Sequence, residues 1–120
     1  MELYIIILLV ILHYIGDFLL QTDNMAINKS SSNKWLFYHV VTYSIPFVLI
    51  NPVYAALNGL LHWFTDYYTS RIAKHYYTNN NRSMFFKVIG LDQTIHIVTL
   101  VSTYVLFKEI YYEYPISWLL

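Results

Sequence analysis

The chain has 120 residues, 58% of them hydrophobic and only 12% charged, with seven basic and seven acidic side chains and a formal net charge of zero. A soluble domain is about 45–50% apolar and about 25% charged, and so few charges cannot cover the surface of so small a protein; the composition points to lipid as the solvent. Zero net charge excludes a nucleic-acid partner held by bulk electrostatics, and the absence of Cys excludes disulfide and thiolate chemistry.

A membrane-spanning helix needs about 20 mostly apolar residues. The first candidate covers 3–21. It is apolar from Leu3 to Leu12, and without a basic flank or small-residue cleavage site it reads as a retained helix rather than a signal peptide. A polar stretch, 22–34, leads to a second span over 35–50 that contains Pro46, a residue membrane helices tolerate when neighbours re-satisfy the freed carbonyl. Asn51-Pro52 is a turn signal and leaves a tight link to the third span, 53–72. A second polar loop, 73–83, carries Asn79, Asn80, Asn81 and a solvated His75. The fourth span covers 84–107, and Tyr111, Tyr112, Tyr114 and Trp118 behind it suit a membrane–water interface. The expected fold is therefore all-α: one domain over 1–120, a polytopic four-helix transmembrane bundle.

Charge sets the expected orientation. Lys29, Lys34, Arg71, Lys74, Arg82 and Lys87 lie in or beside the two long loops, and Lys108 is the one basic side chain at the other face. The positive-inside rule then places both loops in the cytoplasm and both termini outside an inner, cell membrane.

Every span carries polar residues that lipid would reject. Helix 1 has His13, Asp17 and Gln21, helix 2 His39 and Tyr43, helix 3 His62, Asp66 and Ser70, and helix 4 Asp92, Gln93 and His96. Spacing of i, i+4 puts them on one face of each helix, and a charge at mid-bilayer costs at least about 2.5–3.5 kcal/mol, so these faces turn inward and meet. At about 1.5 Å per residue, His13, Asp17, His39, His62, Asp66, Asp92 and His96 fall in one slab of the cytoplasmic half. His13-x3-Asp17-x3-Gln21 also echoes His62-x3-Asp66-x3-Ser70, which suggests two parallel helical hairpins.

Four His and three Asp suit Zn, Mn or Fe, and seven ligands are enough for one or two ions. Asp17, Asp66 and Asp92 are the candidate catalytic carboxylates. Gln21, Tyr43 and Gln93 would orient ligands or meet substrate, and Lys34, Arg71 and Lys87 would stand at the cytoplasmic rim where a phosphate head group arrives. Two other readings stay open: a structural polar network, and a proton or ion pathway in which His and Asp titrate without metal.

The run His13-Tyr14-Ile15-Gly16-Asp17-Phe18-Leu19-Leu20-Gln21, then Met25-Ala26-x-Asn28-Lys29, His39 with Tyr43, His62-x3-Asp66 with Arg71, and Asp92-Gln93-x2-His96 resembles the domain-of-unknown-function 3307 family of small bacterial and phage membrane proteins. The similarity extends from about residue 9 to 100 and is looser to membrane-bound metal-dependent hydrolases, whose His-Arg and Thr-His-Ser runs this chain lacks. The resemblance implies a shared His/Asp site and leaves the reaction open.

The leading expectation is thus an integral membrane, metal-dependent hydrolase acting on a lipid or lipid-linked phosphate at the cytoplasmic leaflet. The alternative is a non-enzymatic membrane protein, either a proton- or ion-conducting oligomer or an assembly factor.

Overall fold

A computed structural model describes residues 2–113 of the backbone and the side chains up to Glu109. The side chains of Tyr111 and Tyr112, and all of Tyr114 and Trp118, lie outside the described residues, and with them the expected aromatic belt. The described chain is helical throughout and has no strand. Its elements are α1 (Leu3–Tyr14), continued by a π-helical turn (Ile15–Leu19), a short α2 (Asp23–Asn28), α3 (Asn33–Ser44), continued by a 3-10 segment (Ile45–Leu49), α4 (Pro52–Thr78) and α5 (Arg82–Glu113).

Local chemistry explains where each element begins and ends. The Thr22 hydroxyl accepts from the Met25 N–H and the Ser32 hydroxyl from the Trp35 N–H, so a capping side chain opens both α2 and α3. Pro46 has no N–H to give the Thr42 carbonyl; the Ile45 N–H bonds there instead, and the helix tightens to 3-10 geometry over the next turn. Asn51 caps α4 through bonds from the Val53 and Tyr54 N–H groups, with Pro52 at the first helical position.

The stretch 73–83, expected as a polar loop, is helical as far as Thr78. The actual turn is Asn79-Asn80-Asn81. Asn80 takes the left-handed conformation (φ 57°), the Asn80 and Asn81 N–H groups bond back to the Tyr77 and Tyr76 carbonyls, and the Asn81 side chain then caps α5. Asn tolerates that φ better than other non-glycine residues, so three residues suffice to reverse the chain. His75 is exposed as expected, but on the last turn of α4.

α4 packs along α5 and against α3 with its 3-10 end, while α1 lies against α5 and the 3-10 segment and its π-helical turn lies against α3. Inside, the bundle has two layers. Toward the Asn51 turn, Leu9, Leu12, Tyr43, Phe47, Tyr54, Ala55 and Leu100 form an apolar core. Toward the α2 end the interior is polar, with His13, Asp17, His39, His62, Asp66, Asp92 and His96 all buried. The outside is the reverse: Leu3, Leu49, Leu60, Phe64, Phe86 and Leu106 are each well over half exposed, Leu49 to 82%. Among the described residues one helix, Arg82–Glu109, is long and apolar enough to cross a membrane, and Leu3–Leu19 is a shorter apolar helix. The polar side chains that α4 turns inward (Asn58, His62, Asp66, Thr69) dilute its average hydropathy.

Candidate metal centre

Each site residue is aimed by a specific local device. Asp17 sits in the π-helical turn, where the Leu20 N–H reaches back to the Ile15 carbonyl. The extra residue in that turn re-aims the side chains it carries, a common use of such turns. Gly16 precedes Asp17 because a Cβ there would stand 2.7 Å from the Tyr43 carbonyl oxygen, so only glycine lets α1 come this close to α3. His62 and Asp66 share one face of α4 at i, i+4, as do Asp92 and His96 on α5. The His62 ring is sandwiched by Tyr43 (centroids 3.7 Å apart) and His96 (4.0 Å), which fixes the direction of its Nε2.

Four side chains from three helices bring one atom each to a common point. His39 Nε2 lies 3.0 Å from His62 Nε2, 3.0 Å from Asp17 Oδ1 and 3.3 Å from Asp66 Oδ2, while His62 Nε2 lies 3.6 Å from Asp17 Oδ1 and 3.4 Å from Asp66 Oδ2. A tetrahedron of N and O ligands about 2.0–2.1 Å from a central ion has edges of about 3.3–3.4 Å. Hydrogen bonding accounts for only part of the cluster: His39 Nε2 pairs with His62 Nε2 and Asp66 is bonded by Lys29 and His96, but Asp17 Oδ1 is buried without a hydrogen-bond partner. Buried polar atoms are rarely left in that state. The geometry and donor types fit a divalent ion held by two imidazoles and two carboxylates.

A second group, Asp17, Asp92 and His96, adjoins the first. His96 Nε2 lies 2.9 Å from Asp66 Oδ1 and 3.2 Å from Asp92 Oδ1, and the Thr69 hydroxyl donates to Asp92 Oδ1. The Gln93 carboxamide bridges this group, donating to Asp17 Oδ2 (3.0 Å) and Asp92 Oδ2 (3.1 Å). Two carboxylates can face only its NH2, so Gln93 Oε1 is the atom toward His13 Nε2, 2.7 Å away. His13 therefore donates from Nε2, and its Nδ1 accepts from the Tyr43 hydroxyl (3.4 Å). His13, expected among the ligands, lies in neither group of converging donors; Tyr43 and Gln93 are hydrogen-bonded to it.

Lys29, just beyond α2, reaches in to bond Asp66 Oδ2 at 2.9 Å. Burial disfavours its charge, but Asp66, Asp17 and Asp92 outweigh that and raise its pKa above the ordinary lysine value. Beside it opens a cavity of about 560 Å³, with Asp17, Asp92, Gln93, Gln21, Ser70, Lys29 and Lys74 among its polar lining and Phe18, Ile27, Phe85 and Ile89 among its apolar walls. Gln21 Oε1 and Ser70 Oγ are buried there without hydrogen-bond partners. Neither Lys34, Arg71 nor Lys87 lines this cavity. Arg71 is used structurally, stacked over Tyr67 and bonded to Asn33 Oδ1 across to α3, and Lys34 lies over the Tyr38 ring. Sequence reasoning had no spacing argument for Lys29 or Thr69; for Lys29 the Met25-Ala26-x-Asn28-Lys29 run was the only signal.

A family model described as a protein of unknown function (DUF3307) matches residues 5–117, and the chain belongs to that family. No curated protein and no solved structure matches it.

Proposed function

We propose that this member of the DUF3307 family is a four-span integral membrane protein whose Asp17–His39–His62–Asp66 quartet binds a divalent metal ion (Zn, Mn or Fe), and that it hydrolyses a lipid or lipid-linked phosphate from the cytoplasmic leaflet. The observation that carries the metal reading is the convergence of four ligand atoms, with His39 Nε2 and His62 Nε2 3.0–3.6 Å from each other and from the two carboxylate oxygens, and with Asp17 Oδ1 left without a hydrogen-bond partner. The membrane reading rests on the inside-out distribution of polarity, with Asp66 1% exposed and Leu49 82%. Six of the seven basic residues lie toward the α2 end and the Asn79 turn, which supports that end as cytoplasmic.

A bound ion would supply Lewis acidity and a nucleophile at neutral pH. With Asp17 and Asp66 engaged in the quartet, Asp92 is the carboxylate placed to take a proton. It lines the cavity, and Thr69, Gln93 and His96 hold it in position. The apolar walls suit an acyl or prenyl chain, and Lys74 with the outer side of Lys29 gives the polar end of the cavity positive charge for a phosphate.

Elemental analysis of protein purified in mild detergent tests the metal reading. Stoichiometric Zn, Mn or Fe is expected, and folded protein that binds none of them after incubation would refute it. Metal-free, pH-dependent ion flux in liposomes, abolished by Asp17→Asn, would point instead to the conducting oligomer.

A further inference from the structure

We infer that the centre takes one divalent ion and not a pair: the Gln93 carboxamide occupies the second position, and the Lys29 ammonium supplies the remaining charge. This rests on the metal reading above and settles what seven candidate ligands leave open.

A second ion would have to bind at Asp17, Asp92 and His96, the only other group of converging ligands among the described residues. The Gln93 NH2 already bonds two of these three residues, at Asp17 Oδ2 and at Asp92 Oδ2. An ion placed between those oxygens would meet N–H groups, which cannot coordinate it. Turning the carboxamide over to present Oε1 would break both of these bonds and also the one from His13 Nε2, itself oriented by the Tyr43 hydroxyl. Three helices hold the orientation: α1 through His13 and Asp17, α3 through Tyr43, and α5 through Gln93 and Asp92.

Charge leads to the same count. Asp17, Asp66 and Asp92 bring three negative charges into a buried site, the coordinating imidazoles of His39 and His62 are neutral, and the sum counts His96, which lies outside the quartet against Asp66 and Asp92, as neutral too. One divalent ion together with Lys29, bonded to Asp66 Oδ2 at 2.9 Å, balances them. Two divalent ions with Lys29 would leave two uncompensated positive charges where the dielectric is low, and desolvated charge of that kind is expensive. Asp66 Oδ2 has lone pairs enough to face the ion on one side and Lys29 on the other.

The test is metal stoichiometry on the full chain in detergent, with Mn(II) as the probe. Wild type is expected to bind one equivalent and to show the electron paramagnetic resonance spectrum of an isolated ion. Two equivalents, or the exchange-coupled spectrum of a pair about 3.5–4 Å apart, overturn the inference while leaving the metal reading intact. No binding by folded protein overturns both. Gln93→Glu, alone or with Lys29→Met, replaces the amide donor by a carboxylate and is expected to raise the count to two. A folded variant that stays at one equivalent overturns the role of Gln93. Wild-type stoichiometry decides the count even if neither variant folds.

Discussion

His39 Nε2 and His62 Nε2 face each other 3.0 Å apart, from different helices, with both Nδ1 atoms buried and unbonded. Two imidazoles that turn the same nitrogen to one point, beside two carboxylate oxygens, are arranged as ligands are. His62→Ala, His39→Ala, Asp17→Ala and Asp66→Ala are each expected to abolish stoichiometric metal, read by elemental analysis with helicity as the folding control. His13→Ala should keep the ion with affinity about 10–100-fold weaker, because His13 lies outside the quartet and acts on Asp17 through Gln93 and across a 3.7 Å gap to Asp17 Oδ2. Complete loss of metal in a folded His13→Ala protein would mean the quartet is wrongly drawn.

Asp92 separates binding from chemistry. Asp92→Asn can still accept from Thr69 but cannot take a proton, so metal content should hold at the wild-type level. Phosphate release from a lipid phosphomonoester in mixed micelles should fall by about 10²–10⁴, the usual share of a general base. Wild-type turnover in that variant would remove Asp92 from the mechanism.

Gly16 and Gly90 make a matched pair. A Cβ at Gly16 would press on the Tyr43 backbone, whereas one at Gly90 meets nothing within 4 Å. Gly16→Ala should cost about 1–3 kcal/mol of stability through overpacking and weaken metal binding by displacing Asp17. Gly90→Ala should be stabilising by up to about 1 kcal/mol. Thermal unfolding in detergent compares the two directly; equal effects would contradict the close α1–α3 approach.

Lys29→Met removes a positive charge next to the proposed ion and leaves Asp66 without its ammonium partner. Divalent-ion affinity should rise by roughly tenfold or more, since even a partly screened unit charge at this range contributes a few kcal/mol. The metal-free protein should unfold more easily. Weaker ion binding in this variant would place Lys29 outside the electrostatics of the site.

The chain has no Cys, so single introduced cysteines report topology without background. Val53→Cys, at the exposed start of α4, should react with a membrane-impermeant maleimide in intact cells. Asn79→Cys, in the turn before α5, should react only after permeabilisation. The opposite pattern would reverse the orientation, and labelling of both in intact cells would contradict the span between them.

Much of the site was legible because a chain this apolar makes polarity conspicuous. In a chain this apolar, His13, Asp17, His39, His62, Asp66, Asp92 and His96 have no reason to recur at i, i+4 unless they turn inward, and all seven are buried in one layer. Helix ends were less legible. The polarity of 73–83 suggests a loop, but polar residues can remain helical, and the chain reverses only where Asn80 adopts a left-handed backbone. The π-helical turn under Asp17 had no signal of its own beyond Gly16.

By itself, then, the sequence determined an all-helical chain with an inward-facing His/Asp layer, because composition and periodicity act along the chain. Tertiary structure alone decided which of those groups converge. Asp17, His39, His62 and Asp66 meet at one point while His13 is diverted to Gln93, and Lys29 arrives from a loop to pair with Asp66. The reason is physical: periodicity states which face a side chain occupies, but donor-to-donor distances of about 3 Å depend on how closely helices approach. That approach is set by contacts such as Gly16 on Tyr43, between residues far apart in the chain.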